Sequence, residues 1–528
     1  MKMQVCGFDG PLARATRSEL VKRGHAISEA GAECAIYFPG TLAELEKLAS
    51  SGVRRLVLRS HASAYGASTK NPGLMTEDRV SLLPAQAPEQ RWLQAEAAAA
   101  RHPNWAAVRL TNVLAREEGD LLVRQLSSRI GVSVAGRDPV VQFIGVVDAA
   151  RALAAAAESQ SVGLFNAAGE GTIPLKKAFR ASGAWRLPLP GLLAKPLAKG
   201  DSVEELQYNW TISSARAARE LGFRPEDSTP AALAAFLSNR PGARPGTLER
   251  RYDPWGLDVD YIRAWGWWFR FLRNVYWRIE HEGLENIPQR GRALYVSNHR
   301  GFMPLDAVMH LSLSLTHRQR IPRFLIIHIL LRQPFLCNFL TKLGGVLATR
   351  ENAAMLLADE NLVAIFPEGI RGAFTPYRKA YRLHDFAKRS GFAEIAIENQ
   401  APVIPAAVVG NAEIFPIIGR IDSSYAVKEL GWPYFPIAPM FPLAPVPIPS
   451  KWHVRVLPAV PLEGLKPRDA ENKKLVSEFS WHIQHILQRN IDDMVKRRKG
   501  IFRGRIFDGT APASPPFVPP EGRVQAAS

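Results

Sequence analysis

Two long stretches of this 528-residue chain repeat one pattern: a short apolar run, a turn bearing Gly or Asn, then an amphipathic helix. Apolar runs this short, bounded by turn residues, fit strands buried on both faces, and strands separated by helices pair in parallel because the crossover needs the helix. The pattern therefore predicts an α/β fold in both halves, with a Rossmann-like, doubly wound parallel sheet in the first. There we expect strands at Met3–Cys6, Ala35–Phe38, Arg54–Arg59 and Ala106–Arg109, and helices at Arg14–Arg23, Leu42–Ala49 and Ala87–Arg101. In the second half strands are expected at Ala293–Ser297, Leu362–Phe366 and Val403–Val409, and helices at Tyr261–Ile279 and Val476–Lys499. Residues 1–240 read as one domain, 241–260 as a linker rich in Pro, Gly and Arg, 261–508 as a second domain, and 509–528 as a disordered tail.

The net charge of +18 favours polyanionic partners: anionic lipid, phosphorylated substrates or nucleic acid. No nucleic-acid module is recognisable, so a nucleic-acid partner is not expected. The three cysteines form no CxxC pair, which argues against a disulfide scaffold or a zinc site, and no metal is expected. The start of the chain does not read as a signal peptide, and no run is apolar enough to span a bilayer. Ile321–Leu340 carries Arg323, His328 and Arg332, and Trp432–Pro449 is broken by prolines. The helix at Tyr261–Ile279 mixes Trp265, Trp267, Trp268, Phe269, Phe271, Tyr276 and Trp277 with Arg263, Arg270, Arg273 and Arg278. It reads equally as core or as an interfacial helix with snorkelling arginines. With the basic cluster Lys496–Arg505, it predicts peripheral or monotopic binding to an anionic membrane surface, on its cytoplasmic face.

Three polar clusters in the second half each follow an expected strand. Asn298, His299 and Asp306 lie in YVSNHRGFMPLDAVM, Glu368, Gly369 and Arg371 in VAIFPEGIRG, and Pro405 in PVIPAAVVGNAEIFP. Strand ends of a parallel sheet share one rim, where ligands of open α/β sheets bind. His299 suits a general base because its ordinary pKa lies near neutrality, and Asp306 could fix its tautomer. No GxSxG elbow supplies a nucleophile. Arg371 offers a bidentate fork for a phosphate, with Arg350 a second cation upstream. In an alternative reading Glu368 and Arg371 merely pair to cap a turn.

These blocks, in this order, resemble the glycerol-3-phosphate and lysophospholipid acyltransferase family over residues 261 to 465. The resemblance implies His299 as base, Asp306 as its partner, Asn298, Glu368, Gly369 and Arg371 as substrate-binding, and Pro405 as shaping the rim. It implies transfer of a fatty acyl group from acyl-CoA or acyl-ACP to a glycerolipid hydroxyl, with no cofactor. A 1-acylglycerol-3-phosphate-type acceptor in phospholipid biosynthesis is expected. Two departures bear on the acceptor. Six residues, RGFMPL, separate His299 from Asp306 where four are usual, and Ile370 replaces a usual Thr. Both lean towards branches that use neutral mono- or diacylglycerols.

In the first half GFDGPLA, with Gly7, Gly10 and Ala13, has the outline of a dinucleotide-binding turn. With GVRRLVLRSHASAYG and WTISSARAARELGF it resembles an extended short-chain dehydrogenase/epimerase over residues 3 to 236. That family's Tyr-x-x-x-Lys is replaced by Gln90 and Gln94, neither able to carry a proton, so NAD(P)-dependent redox or epimerase chemistry is disfavoured. The stretch between Gly24 and Cys34 is also too short for the strand and helix that usually flank adenine, and Glu29 matches a ribose-binding acid only weakly. We read the domain as catalytically dead, with NAD(P) binding left open.

Overall fold

The computed structural model describes residues 1–519 other than 30, 199, 249–251, 443–445, 510 and 518. They form two compact units, one of Met1–Asp258 with Leu330–Thr341, the other of Val259–Ile329 with the chain from Lys342 onwards.

The first unit is built on six parallel strands: β1 (Lys2–Gly7), β2 (Ala26–Ile27), β3 (Cys34–Phe38), β4 (Arg55–His61), β5 (Trp105–Leu110) and β6 (Gly163–Ala167). Their order is β6-β5-β4-β3-β1-β2, doubly wound about a switch point between β1 and β3. The shortness noted between Gly24 and Cys34 shows as a two-residue edge strand, after which the chain crosses back at once to β3. β1 ends in Gly7 at φ +90°, where a Cβ would stand 1.7 Å from the Phe38 carbonyl oxygen, so only glycine lets the chain leave the sheet here. Helix α1 (Pro11–Lys22) starts with Pro in its first turn and buries Leu12, Ala13, Thr16 and Leu20, one stripe at helical spacing.

The stretch 241–260 does not behave as a linker. Leu248 is buried in the first unit's core, Trp255 is buried beside Gly73, and the Arg244 N–H donates to the Ala181 carbonyl. Residues 249–251 lie outside the described residues. Leu330–Thr341 also belongs to this unit: Arg137 donates to the Leu331 carbonyl (2.6 Å) and to that of Arg332, and the Phe335 N–H donates to Gly136 (2.9 Å).

The main sheet of the second unit has seven strands: β7 (Glu280–Glu282), β8 (Ala293–Ser297), β9 (Arg323–Ile326), β10 (Val346–Leu347), β11 (Leu362–Ile365), β12 (Val403–Val409) and β13 (His453–Val456). They lie in the order β7-β13-β12-β8-β11-β9-β10, parallel except where β12 meets β13. Strands β12, β8 and β11 are adjacent and parallel, so their C-terminal ends lie side by side. The aromatic helix α2 (Val259–Phe271) widens into a π-helical turn at Leu272–Tyr276. It is divided in character: Ile262, Phe269, Leu272 and Trp277 are buried, Trp277 stacking 4.7 Å from Trp452, whereas Trp267, Phe271 and Val275 are exposed. Arg273 is buried and donates to Ser312 and Thr316, which removes it from the expected set of surface arginines. Arg498 of the basic cluster is likewise committed inward, to Glu413 (2.6 Å).

The last helix, α4 (Lys473–Arg497), buries Val476, Phe479, Ile483, Ile486, Leu487, Ile491 and Met494. Of the tail read as disordered, residues 510, 518 and 520–528 lie outside the described residues. Two residues of the stretch 511–517 meet α4: Phe517 lies 5.1 Å from Phe479, and the Pro515 carbonyl accepts from His482 (3.0 Å).

Candidate active site

Strand β8 delivers Asn298 and His299 to the rim, and helix α3 (Leu305–Arg318) returns from it with Asp306 in its first turn. His299 Nδ1 lies 2.9 Å from Asp306 Oδ2. The same oxygen accepts from the Arg300 backbone N–H (2.9 Å) and the Asn411 side-chain amide (3.2 Å), and Asp306 has no exposed surface. A carboxylate gripped by three donors is fixed, and it in turn fixes His299 with Nδ1 protonated and Nε2 free to accept a proton. The imidazole is 15% exposed and lies against the Phe366 ring, centroids 4.9 Å apart. The loop between them passes through Gly301 at φ +64°, where a Cβ would stand 3.0 Å from the Asn411 carbonyl oxygen.

Each of the other expected site residues finds a definite place. The Asn298 amide donates to the Val408 carbonyl (3.0 Å) and accepts from the Val408 N–H (2.8 Å), so it ties β8 to β12 and does not face a substrate. Glu368 is also internal. It pairs with the buried Arg300 (2.6 Å) and accepts from the His384 N–H (2.9 Å), so neither the substrate-binding role nor the Glu368–Arg371 cap describes it. Gly369 already donates its N–H to the Phe366 carbonyl (2.9 Å). Arg371 is exposed, with no carboxylate partner among the described residues. Its block abuts His299: a Cβ on Gly372 would stand 3.0 Å from the His299 carbonyl oxygen. Burial and the nearby Arg371 hold Arg389 below the usual guanidinium range, so positive charge is concentrated there. Arg350 is spoken for by Glu394. Pro405 sits inside the sheet, level with Val296, and not at the rim.

Arg300, Asn411 and Phe366 complete the site and were not singled out from the sequence. Arg300 and Asn411 stand next to motif residues, but a buried Arg and a loop Asn carry no signal at fixed spacing. One turn beyond Asp306, buried His310 bonds Tyr295 Oη (2.8 Å) and Ser297 Oγ (3.2 Å). Burial pushes its pKa down to about 4, so it is a neutral structural imidazole. Phe302 continues the rim as an apolar wall with Phe374, Phe415, Trp432 and Phe441, all within 6 Å between ring centroids.

In the first unit Ala13 packs α1 on the sheet and Gly10 caps it, as the fingerprint requires. The phosphate position, however, is taken by the chain's own Glu118, 4% exposed, whose Oε1 accepts the Leu12 N–H (3.0 Å). A carboxylate already holding the turn does not fit a dinucleotide pyrophosphate. Gln90 donates to the Pro84 carbonyl (3.1 Å), and Gln94 and Glu29 are exposed.

The second unit is an α/β fold that holds a His–Asp pair at its strand ends, an arrangement able to take a proton from a hydroxyl. The acyltransferase family model matches residues 278–409. An uncharacterized protein of Mycobacterium leprae is 33% identical over 285 residues, 52% of this chain and 74% of the relative. One of Mycobacterium tuberculosis is 30% identical over 331 residues, 60% and 90% of the two chains. The chain belongs to the acyltransferase family. A Bos taurus protein named a DGAT1/2-independent enzyme synthesizing storage lipids is 28% identical over 176 residues, 33% of this chain and 50% of that one. Solved structures similar to the chain include a human epimerase family protein with NADPH (18% identity, TM-score 0.37, 45% of this chain and 100% of that one). Another is a Bacillus cereus UDP-N-acetylglucosamine 4-epimerase (14% identity, TM-score 0.35, 45% and 98%).

Proposed function

We propose that the protein moves a fatty acyl group from an acyl thioester, acyl-CoA or acyl-ACP, to the hydroxyl of a glycerolipid acceptor that carries a phosphate. The observation that carries this reading is the fixed His299–Asp306 pair beside an exposed Arg371 that is unpaired among the described residues. His299 Nε2 accepts the hydroxyl proton as the oxygen attacks the thioester carbonyl. The C–S bond breaks, and the imidazolium, stabilised by Asp306, returns the proton to the leaving thiolate. Arg371 holds the acceptor phosphate by charge-assisted hydrogen bonds. The aromatic wall around Phe302 suits an acyl chain.

Membrane attachment is part of the same proposal. Exposed Trp267, Phe271 and Val275 on one helix, and exposed Ile418, Ile421, Tyr425 and Val427 elsewhere in the second unit, supply apolar anchors. Arg263 and Arg270 add attraction to the anionic, cytoplasmic face of a membrane. No helix among the described residues is long and apolar enough to cross a bilayer.

A second reading, acylation of neutral mono- or diacylglycerol, is favoured by the bovine relative, named a storage-lipid-synthesizing enzyme, and by the six-residue His–Asp spacing. The deciding assay measures thiol release with lysophosphatidate and with monoacylglycerol, for wild type, His299→Ala and Arg371→Ala. The proposal expects His299→Ala to be inactive and Arg371→Ala to lose far more activity on lysophosphatidate. Equal loss on both lipids, or a wild type that prefers monoacylglycerol, selects the neutral-lipid reading.

A further inference from the structure

At the switch point of the first unit's sheet lies a cavity of about 410 Å³. Its floor is the C-terminal end of β4, where Arg59 and His61, two apart on the strand, point to the same side. Both are more than nine-tenths buried. Arg59 Nε and Nη2 have no hydrogen-bond partner among the described residues. The nearest carboxylate oxygens, on Glu118 and Asp120, stand 3.8 and 3.9 Å from Nη2. The guanidinium is held over the Trp92 ring at 4.9 Å, which fixes its plane without satisfying its donors.

His61 adds a third donor. Its Nδ1 accepts the Ser63 backbone N–H (3.2 Å), which assigns the ring proton to Nε2 and makes the Ser63 hydroxyl, 2.7 Å from Nδ1, a second donor to it. Burial, with Arg59 and Arg91 nearby, holds the His61 pKa well below its usual value and keeps the ring neutral. Nε2 is buried and unpartnered, with Asp120 Oδ1 3.6 Å away. Buried donors in folded proteins are almost always satisfied, and these meet Glu118 and Asp120 only at 3.6–3.9 Å, beyond hydrogen-bond reach, which leaves them able to take acceptors from a guest in the cavity.

We propose that this cavity binds a compact, hydroxylated phosphate monoester. The Nε–Nη2 edge of Arg59 is a fork for two oxygens, and His61 Nε2–H supplies a donor for a third. A phosphate has three terminal oxygens where a carboxylate has two. Asp120 and Glu118, which crowd the same space, accept from the ligand's hydroxyls. A dinucleotide is excluded because Glu118 already occupies the Leu12 N–H at the turn where its pyrophosphate would lie. The site is independent of the acyl-transfer reading, since it lies wholly in the first unit.

The test is calorimetric titration of the full chain, in an Arg371→Ala background so that the second unit's cation does not contribute. The probes are ribose 5-phosphate, inorganic phosphate and NAD⁺. Ribose 5-phosphate is expected to bind more tightly than inorganic phosphate, and NAD⁺ not to compete. Arg59→Met preserves volume over Trp92 and should weaken ribose 5-phosphate at least about tenfold by removing the fork. Arg59→Lys, which keeps the charge, should weaken it similarly, and His61→Phe gives an independent reduction should either Arg59 variant fail to fold. No heat with ribose 5-phosphate on the parent protein, undiminished binding by the variants, or displacement by NAD⁺ overturns the proposal.

Discussion

Asp306→Asn isolates the electrostatic part of the site because it keeps the volume of the side chain. Its amide oxygen can take the place of Oδ2 and still accept from His299 Nδ1, the Arg300 N–H and Asn411. The amide nitrogen then falls where Oδ1 now lies, a buried position with no hydrogen-bond partner, and an unsatisfied amide there costs about 1–3 kcal/mol of stability. The larger effect is on the reaction. The His299 imidazolium formed on proton transfer loses a negative charge 2.9 Å away, and the comparable change in a catalytic triad costs about 10⁴-fold, or about 5.5 kcal/mol of transition-state stabilisation. With His299 only 15% exposed, little solvent is present to compensate. We expect kcat for thiol release to fall by about 10³- to 10⁴-fold with KM nearly unchanged, and the melting temperature to drop by a few degrees. A variant that melts like wild type and retains kcat to within about tenfold would refute the argument, because His299 would then need no carboxylate.

Asn298→Ala removes both hydrogen bonds from β8 to Val408, and urea denaturation should report a loss of about 2 kcal/mol together with reduced turnover. Burial lowers the pKa of His310 to about 4 and, with Arg498 and Lys451, that of His453 to about 3, against about 6.5 in an unfolded chain. The unfolded chain therefore takes up more protons than the native one below pH about 6.5, and stability is lost as pH falls from there towards about 4. The urea midpoint should be lower at pH 5 than at pH 7, with a smaller difference in His310→Gln; equal midpoints contradict the assignment. In liposome flotation, anionic vesicles should bind the protein more tightly than neutral ones, and salt should weaken the binding to a remainder that Trp267→Ala reduces. Equal partitioning at all salt concentrations contradicts the electrostatic part.

Apolar patterning made the strands legible: Ala293–Ser297 and Val403–Val409 have the expected bounds, because a buried strand announces itself by an unbroken apolar run. His299 and Asp306 stood out for a different reason: an isolated His beside a strand is usually structural, but here two further polar blocks follow in order, and the structure places the two side chains 2.9 Å apart. What the pattern could not assign was the duty of each neighbouring polar residue. Asn298 and Glu368 stand inside the motifs yet spend their hydrogen bonds on β12 and Arg300, because a rim built from three strand ends needs internal ties as well as reacting groups. Nor could it show the loop backbone that brings Asn411 to Asp306, which depends on contacts more than a hundred residues apart. The proline- and glycine-rich stretch after residue 240 illustrates the same limit: composition marks where helices and strands stop, not whether the coil is packed.

The membership of Leu330–Thr341 in the first unit bears on how the protein is made. A ribosome that has released the first 258 residues has not yet finished that unit. Arg137, buried in the complete protein, waits for carbonyls that arrive only with Leu331 and Arg332. Its early folding must therefore leave a gap that a later segment fills, after the first strands of the second sheet have already emerged. Cutting the gene at the compositional border would yield a first fragment lacking a piece of its own structure, and a second carrying a segment with nowhere to dock.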